Sequence, residues 1–231
     1  MAGLESGTRG ELLGRLAEVV ESVNPEHPTR VAVDGRPASG KTTLADELAA
    51  VLRARGRQVI RATIDEFLFP RSQRYRRGEY SAEGNYHDSF DFGTLYRVLL
   101  DPLGPAGDRR FQPAVRDRAT DTPLSPPVTA AAADAVLLFD GVFLMRPELI
   151  ERWDLRIHVS VAFEETLDRA RIRDRAEYGS VAAIERRFHH RYGPSQQLYL
   201  DTVRPAERAD VVVHNDVPQQ PAWEVRSAPT A

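Results

Sequence analysis

Apolar residues Leu12, Leu13, Leu16, Val19, Val20 and Val23 recur at three- and four-residue intervals, the spacing of one face of a helix. Thr8 and Glu11 stand ahead of them in the order of a capping box. The pattern predicts an amphipathic helix over residues 9–23, stopped by Asn24-Pro25 and Pro28. A different rhythm follows. Short, nearly continuous apolar runs at residues 30–34, 58–64, 135–140, 156–161 and 210–214 read as buried strands. Helical stretches separate them: residues 41–55, rich in Ala and Leu and followed by Gly56, then 94–100, 163–178 and 181–191. Strands alternating with helices predict a three-layer α/β fold with a five-stranded, mostly parallel sheet, and ligands gathered at the carboxyl ends of its strands. Residues 66–92 and 101–128 lack clear periodicity and read as long irregular excursions, the second with a hairpin near Phe111–Val115. The tail from Asp216, rich in Pro, Gln and Ala, is expected to fray. No internal repeat is visible.

The 231 residues suit one α/β domain, and 42% hydrophobic content supports a sizeable core. A net charge of −3 argues against a general nucleic-acid binder. No apolar run reaches membrane-spanning length, and the first residues lack the form of a secretory signal. With no cysteine, disulfides, thiolate metal sites and cysteine nucleophiles are excluded, and a reducing cytoplasm is the simplest expected home. A homo-oligomer stays open. One count is more pointed. Of 31 Lys and Arg residues, Lys41 alone is lysine, a compact charge on a flexible stem where the rest of the chain uses the planar guanidinium.

Lys41 lies in Gly35-Arg36-Pro37-Ala38-Ser39-Gly40-Lys41-Thr42, which satisfies the phosphate-loop pattern, with a strand before it and a helix after it. In such a loop the glycines let backbone N–H groups of Gly35, Ala38, Ser39, Gly40, Lys41, Thr42 and Thr43 turn toward phosphate oxygens at the helix N-terminus. Lys41 is expected to reach the β- and γ-phosphates, and Thr42 to place a hydroxyl on Mg²⁺. No Asn-Lys-x-Asp guanine-reading motif follows, which favours ATP over GTP.

Two strand-terminal acids complete this chemistry. Asp140 is expected in the Mg²⁺ shell, the alternative being an Asp-Gly turn. Asp65 is expected to meet the acceptor hydroxyl, the alternative being a helix N-cap. Arg169, Arg171, Arg173 and Arg175, with Arg186, Arg187 and Arg191 beyond, suit a mobile lid that clamps transferring charge. The polar, aromatic stretch holding Tyr86, His87, Asp88 and Asp91 is as a segment the expected acceptor pocket, the alternative, and the stronger one for any single residue, being an ordinary loop with some residues packed inward. His189, His190 and His214 are expected in packing or surface roles.

These segments together resemble the uridine kinase family, P-loop nucleoside kinases related to phosphoribulokinase and pantothenate kinase. The resemblance spans about residues 28–216. It is carried by VAVDGRPASGKTTLADELA, TIDEF, GNYHDSFDF, VLLFDGVFL, RARIRDRAEYG and PAERADVVVHND. It implies a P-loop NTPase fold: a helix in residues 1–28 packed on the core, a kinase domain over 29–215 with a helical lid at about 164–195, and the tail 216–231. It also implies transfer of the ATP γ-phosphoryl group to the 5′-hydroxyl of uridine or cytidine. By motif, Asp65 takes the acceptor-hydroxyl role, Asp88 and Asp91 fall in the ribose-side stretch, and Arg169 and Arg173 are lid arginines. The chain departs from the family in three places. Asn85 stands for a ribose-binding Asp, Arg116 for an aromatic beside the acceptor, and Asp140 for the more usual Glu. Alternatives are a related kinase with another small-molecule acceptor, such as a sugar phosphate, pantothenate, glycerate or antibiotic, and a nucleotide-binding regulator.

Overall fold

A computed structural model of the chain describes residues 3–226. Among them are strands β1 (Leu4–Ser6), β2 (Thr29–Gly35), β3 (Val59–Thr63), β4 (Arg110–Phe111), β5 (Thr129–Ala130), β6 (Val136–Gly141), β7 (Leu155–Ser160), β8 (Val211–His214) and β9 (Ala222–Val225). The helices are α1 (Arg9–Ser22), α2 (Lys41–Ala54), α3 (Arg71–Arg74), α4 (Ala82–His87), α5 (Phe92–Leu95), α6 (Phe163–Arg173), α7 (Arg175–Tyr178), α8 (Val181–Arg187), α9 (Gly193–Val203) and α10 (Pro205–Arg208).

The sheet runs β1-β9-β8-β7-β2-β6-β3, and β3, β6, β2, β7 and β8 are parallel to one another. All five strands expected from the apolar runs are in this parallel core. Every residue of β2 is buried, because neighbouring strands and helices cover it on all sides, which is why it reads as a continuous apolar run. Alternate side chains serve opposite faces. Val31, Val33, Leu138, Ile157 and Val213 pack under α1 and α2, whereas Ala32, Leu137, Phe139 and Val212 join Leu99, Phe143, Leu144 and Tyr199. On that second face Phe139 stacks on Trp153 with centroids 5.3 Å apart, and the indole nitrogen donates to the Leu144 carbonyl at 2.8 Å. The capping box of α1 is complete, with Glu11 accepting from the Thr8 amide at 2.7 Å.

The sheet is wider than the five strands expected. β9 adds antiparallel to β8, and β1 antiparallel to β9. The tail expected to fray thus supplies a strand paired on both sides, with Trp223 burying its ring in the apolar face beneath α1. Residues 227–231 of that tail lie outside the described residues. Three further segments differ from expectation. Residues 66–92 are ordered into α3 and α4. The helix expected at 94–100 is α5 running into a wider π turn, Tyr96–Leu100. The expected hairpin is a β4–β5 pair with an Arg116–Pro123 bridge between them.

The region expected to form a lid is likewise broken. The single helix expected over 163–178 divides at Asp174 into α6 and α7, and Gly179, at φ 76°, turns the chain back into α8. Ser180 caps α8 through the Ala183 amide, and a π turn, Phe188–Tyr192, leads on to α9. Leu167, Ala170, Ile184 and Phe188 form a small core that fastens this unit to Ala38 of the phosphate loop.

Candidate active site

Sheet register assembles the site. Asp140 pairs with Val33 on one side and Thr63 on the other, so the end of β6 lies beside the start of the phosphate loop and two residues from Asp65. At the loop, Ala38 and Gly40 take left-handed backbone, φ 61° and 88°. A Cβ on Gly40 would stand 2.7 Å from Asn215 Nδ2, which donates to the Ser39 carbonyl at 2.8 Å. A Cβ on Gly35 would stand 2.7 Å from Ser39 Oγ and 2.8 Å from the Val159 carbonyl. Close approach therefore requires both glycines, and at Gly40 the left-handed backbone adds a second reason. Asp34, just before the loop, is fully buried, accepts from the Leu144 amide at 2.9 Å and meets His158 Nδ1 at 2.8 Å.

The following helix is prepared for an anion. No side chain caps the N-terminus of α2 and no acid lies in its first turn, in contrast to the fully capped α1. Its first N–H groups and positive dipole end are left for a ligand. Thr42 and Thr43 are exposed at this end. Thr42 Oγ1 donates to Asp140 Oδ2 at 2.6 Å, and Arg61 holds Oδ1 at 2.8 Å. Lys41 Nζ donates only weakly, to the Arg36 carbonyl at 3.4 Å. Burial lowers the proton affinity of Lys41; the charges of Asp140, Asp65 and Asp34 oppose that effect and Arg173 adds to it. Ser39 Oγ is buried with no hydrogen-bond partner among the described residues. An uncapped helix end, a glycine cradle and a hydroxyl–carboxylate pair of hard oxygens fit a nucleoside triphosphate with Mg²⁺.

Asp65 sits on a 3₁₀ turn, Ile64–Phe67, whose N-cap is Thr63, so its carboxylate is not spent on capping. Half exposed, it faces Arg118 Nε at 4.0 Å. Of the lid arginines, Arg173 pairs with Asp174 and lies near enough to Lys41, Asp65 and Arg118 to act on their charges. Arg169 is used differently: it donates to the carbonyls of Ser39 at 3.4 Å and of Asn215 and Asp216 at 2.8 Å, bracing the phosphate loop against the end of β8. Arg171 pairs with Asp168 and Glu185 at the surface.

No family model matches the chain. Uridine-cytidine kinase B of Dictyostelium discoideum is 27% identical to it over 191 residues, 81% of this chain and 75% of that protein. Among solved structures, a possible uridine kinase from Bacillus stearothermophilus superposes with a TM-score of 0.69 at 24% identity, covering 88% of this chain and 97% of that one. A kinase assigned to a fructose transport system of Silicibacter sp. TM1040 gives 0.62 at 26% identity, covering 80% and 92%. In sequence and fold the chain resembles P-loop kinases of the uridine kinase type.

The segment expected to hold an acceptor is largely engaged in the fold. Tyr86 is buried against Phe143 and under the Arg146 guanidinium, so its ring is no open stacking face. Asp91 caps α5 through the Thr94 amide, and Asp88 accepts from Arg77 Nε at 2.7 Å. His87 is exposed beside the Tyr86 ring. Arg116 donates to the carbonyls of Leu68 and Asp121, and Asn85 to Ser195 Oγ at 2.8 Å. His214 meets Glu224 at 3.1 Å, and His189 packs against Phe163. The sequence reading missed Arg118, Glu177, Arg61 and Asn215. Glu177 and Asn215 lie in segments that carry the resemblance but drew no role from it, whereas Arg118 lies in the Pro/Gly-rich excursion where no periodicity marks a residue as inward-facing.

Proposed function

We propose that this kinase transfers the γ-phosphoryl group of ATP to the 5′-hydroxyl of a pyrimidine nucleoside. The observation that carries the reading is the junction of three strand ends: the phosphate loop after β2, the Thr42–Asp140 pair, and Asp65 in the electrostatic reach of Lys41. The likeness to uridine-cytidine kinase B supports the acceptor class.

The roles follow from the geometry. Backbone N–H groups at the start of α2 and the Lys41 ammonium stabilise charge on the β- and γ-phosphates as the bond to the leaving ADP oxygen breaks. Thr42 and Asp140 would hold Mg²⁺, which when bound neutralises phosphate charge. Asp65 orients the acceptor hydroxyl and takes its proton as the new P–O bond forms; the transition state is loose, so position matters more than basicity. Arg173 closes over the site with the lid, and a cytoplasmic setting suits a cysteine-free kinase. A second reading, a sugar-type acceptor, is favoured by one observation: Asn85 and Arg116, two departures from the nucleoside kinase pattern, both spend their polar groups on the fold. The fructose-system kinase among the structural relatives agrees with it.

A panel of uridine, cytidine, purine nucleosides and simple sugars, assayed with ATP–Mg²⁺ by ADP release and product mass, separates the two. Turnover highest with uridine or cytidine, and lost in Asp65→Asn while ATP still binds, is the expected result. Turnover confined to sugars would replace the nucleoside reading.

A further inference from the structure

We propose that Arg118 is a positioning residue for the transfer, a bridge that couples closure of the lid to the orientation of Asp65. This rests on the reading of Asp65 as the group that meets the acceptor hydroxyl. Arg118 belongs to the excursion between β4 and β5 and follows Asp117, whose carboxylate accepts from the Thr120 amide at 2.8 Å and so fixes the turn. One terminal nitrogen of its guanidinium donates to both oxygens of Glu177, at 3.0 and 2.9 Å, while its Nε edge faces Asp65 at 4.0 Å. A planar guanidinium offers donors along separate edges at fixed angles and so can hold two carboxylates in a set mutual orientation, which the rotating donors of an ammonium do not fix.

The two carboxylates stand on separate elements. Asp65 is fixed to the end of β3, and Glu177 lies on α7. This four-residue helix has no buried residue and is set off from its neighbours by the break at Asp174 and the positive φ of Gly179. The apolar anchorage of α7 is confined to Tyr178, partly buried against the small core of Leu167, Ala170, Ile184 and Phe188, so the helix depends on side-chain ties for its position, and Arg118 reaches it from across the site. Burial depresses the proton affinity of Arg118, but the charges of Asp65 and Glu177 outweigh this and raise it, so the bridge stays charged. Arg118 and Glu177 are each nearly half exposed, 45% and 47%, which makes the tie weak enough to open for acceptor entry. When the lid lifts, Glu177 leaves and Arg118 is free to shift relative to Asp65; when it closes, Asp65 regains a fixed neighbour.

The test is a mutant cycle read by amide hydrogen exchange of residues 175–187 in the free full-length protein, with β2 and β6 amides as the control for an intact core. Arg118→Ala and Glu177→Gln are each expected to speed lid exchange about three-fold, as loss of a partly exposed pair would, with no further gain in the double variant. Asp65→Asn is expected to speed lid exchange in the wild-type background and not in Arg118→Ala. Arg118→Lys, which keeps the charge but has no fixed donor edges to orient one carboxylate against the other, should restore part of the protection and none of the coupling to Asp65. ADP release from ATP–Mg²⁺ without any acceptor should rise about three-fold in Arg118→Ala, because a loosened lid admits water. Unchanged lid exchange and ADP release in Arg118→Ala, or an Asp65→Asn effect of equal size in both backgrounds, overturns the proposal. Turnover of Asp65→Asn with uridine reports separately on the reading beneath it.

Discussion

Replacing Lys41 with Met removes the chain's solitary ammonium and keeps an unbranched side chain of similar length. Two consequences can be worked from the structure. The fold loses one hydrogen bond, to the Arg36 carbonyl, and at 3.4 Å it lies at the weak end of such contacts, worth under about 1 kcal/mol. Burial, the largest influence on Lys41, lowers its proton affinity even after Asp140, Asp65 and Asp34 are counted, so the charged form is held at a net cost that Met does not bear. The free variant should melt within about 4 °C of the wild type, and no lower than that band allows, for a chain of this size. Because the folded-state value is depressed, the unfolded chain binds the extra proton first, and the wild-type penalty fades as pH rises toward the ordinary lysine value of 10.5. Any stability advantage of the variant should therefore shrink with rising pH. Catalysis should behave oppositely. Loss of a preorganised cation at the transferring phosphate costs about 10²–10³ in turnover. Steady-state ADP release with ATP–Mg²⁺ and uridine, beside thermal melts at pH 7 and 9, tests both. Turnover within about three-fold of wild type would refute the phosphate role, and a melting point lowered by more than about 8 °C would show that Lys41 is structural.

Two further outcomes follow from the same geometry. Asp140→Asn keeps the shape beside Thr42 and leaves Arg61 its second partner, Asp46 at 2.9 Å, so the free protein should melt close to wild type. Turnover should fall about 10²-fold, and the melting-point gain on adding ATP–Mg²⁺ should shrink; an unchanged gain would remove Asp140 from the metal shell. Gly40→Ala forces a Cβ to 2.7 Å from Asn215 Nδ2 at φ 88°, a strain of about 1–3 kcal/mol. The free protein should melt about 3–10 °C lower and bind ATP–Mg²⁺ more weakly, as read by calorimetry; wild-type affinity in this variant would show that the loop does not need its turn.

Much of this molecule was legible in the chain itself. The phosphate loop announces its chemistry because a few consecutive residues, from Gly35 to Thr42, do all of it on one strand–turn–helix unit, and local sequence fixes that unit. The five parallel strands were readable because strands buried on both faces must be continuously apolar. Asp140 and Asp65 could be nominated because each closes such a run. What the chain could not declare were the partners that sheet order brings from far away. Asn215 against Gly40, His158 against Asp34, Arg169 on the carbonyls beyond β8, and Arg118 between Asp65 and Glu177 join segments separated by dozens of residues. Nor could it show that β9 would pair rather than fray, since that strand is held by the hydrogen-bonding groups of β8 and β1 on either side and by the burial of Trp223. Tyr86, Asp91 and Arg116 carry the residue types of a binding site, and packing alone decided that they support the fold: side-chain chemistry is written locally, whereas the direction in which a side chain points is set by everything packed around it.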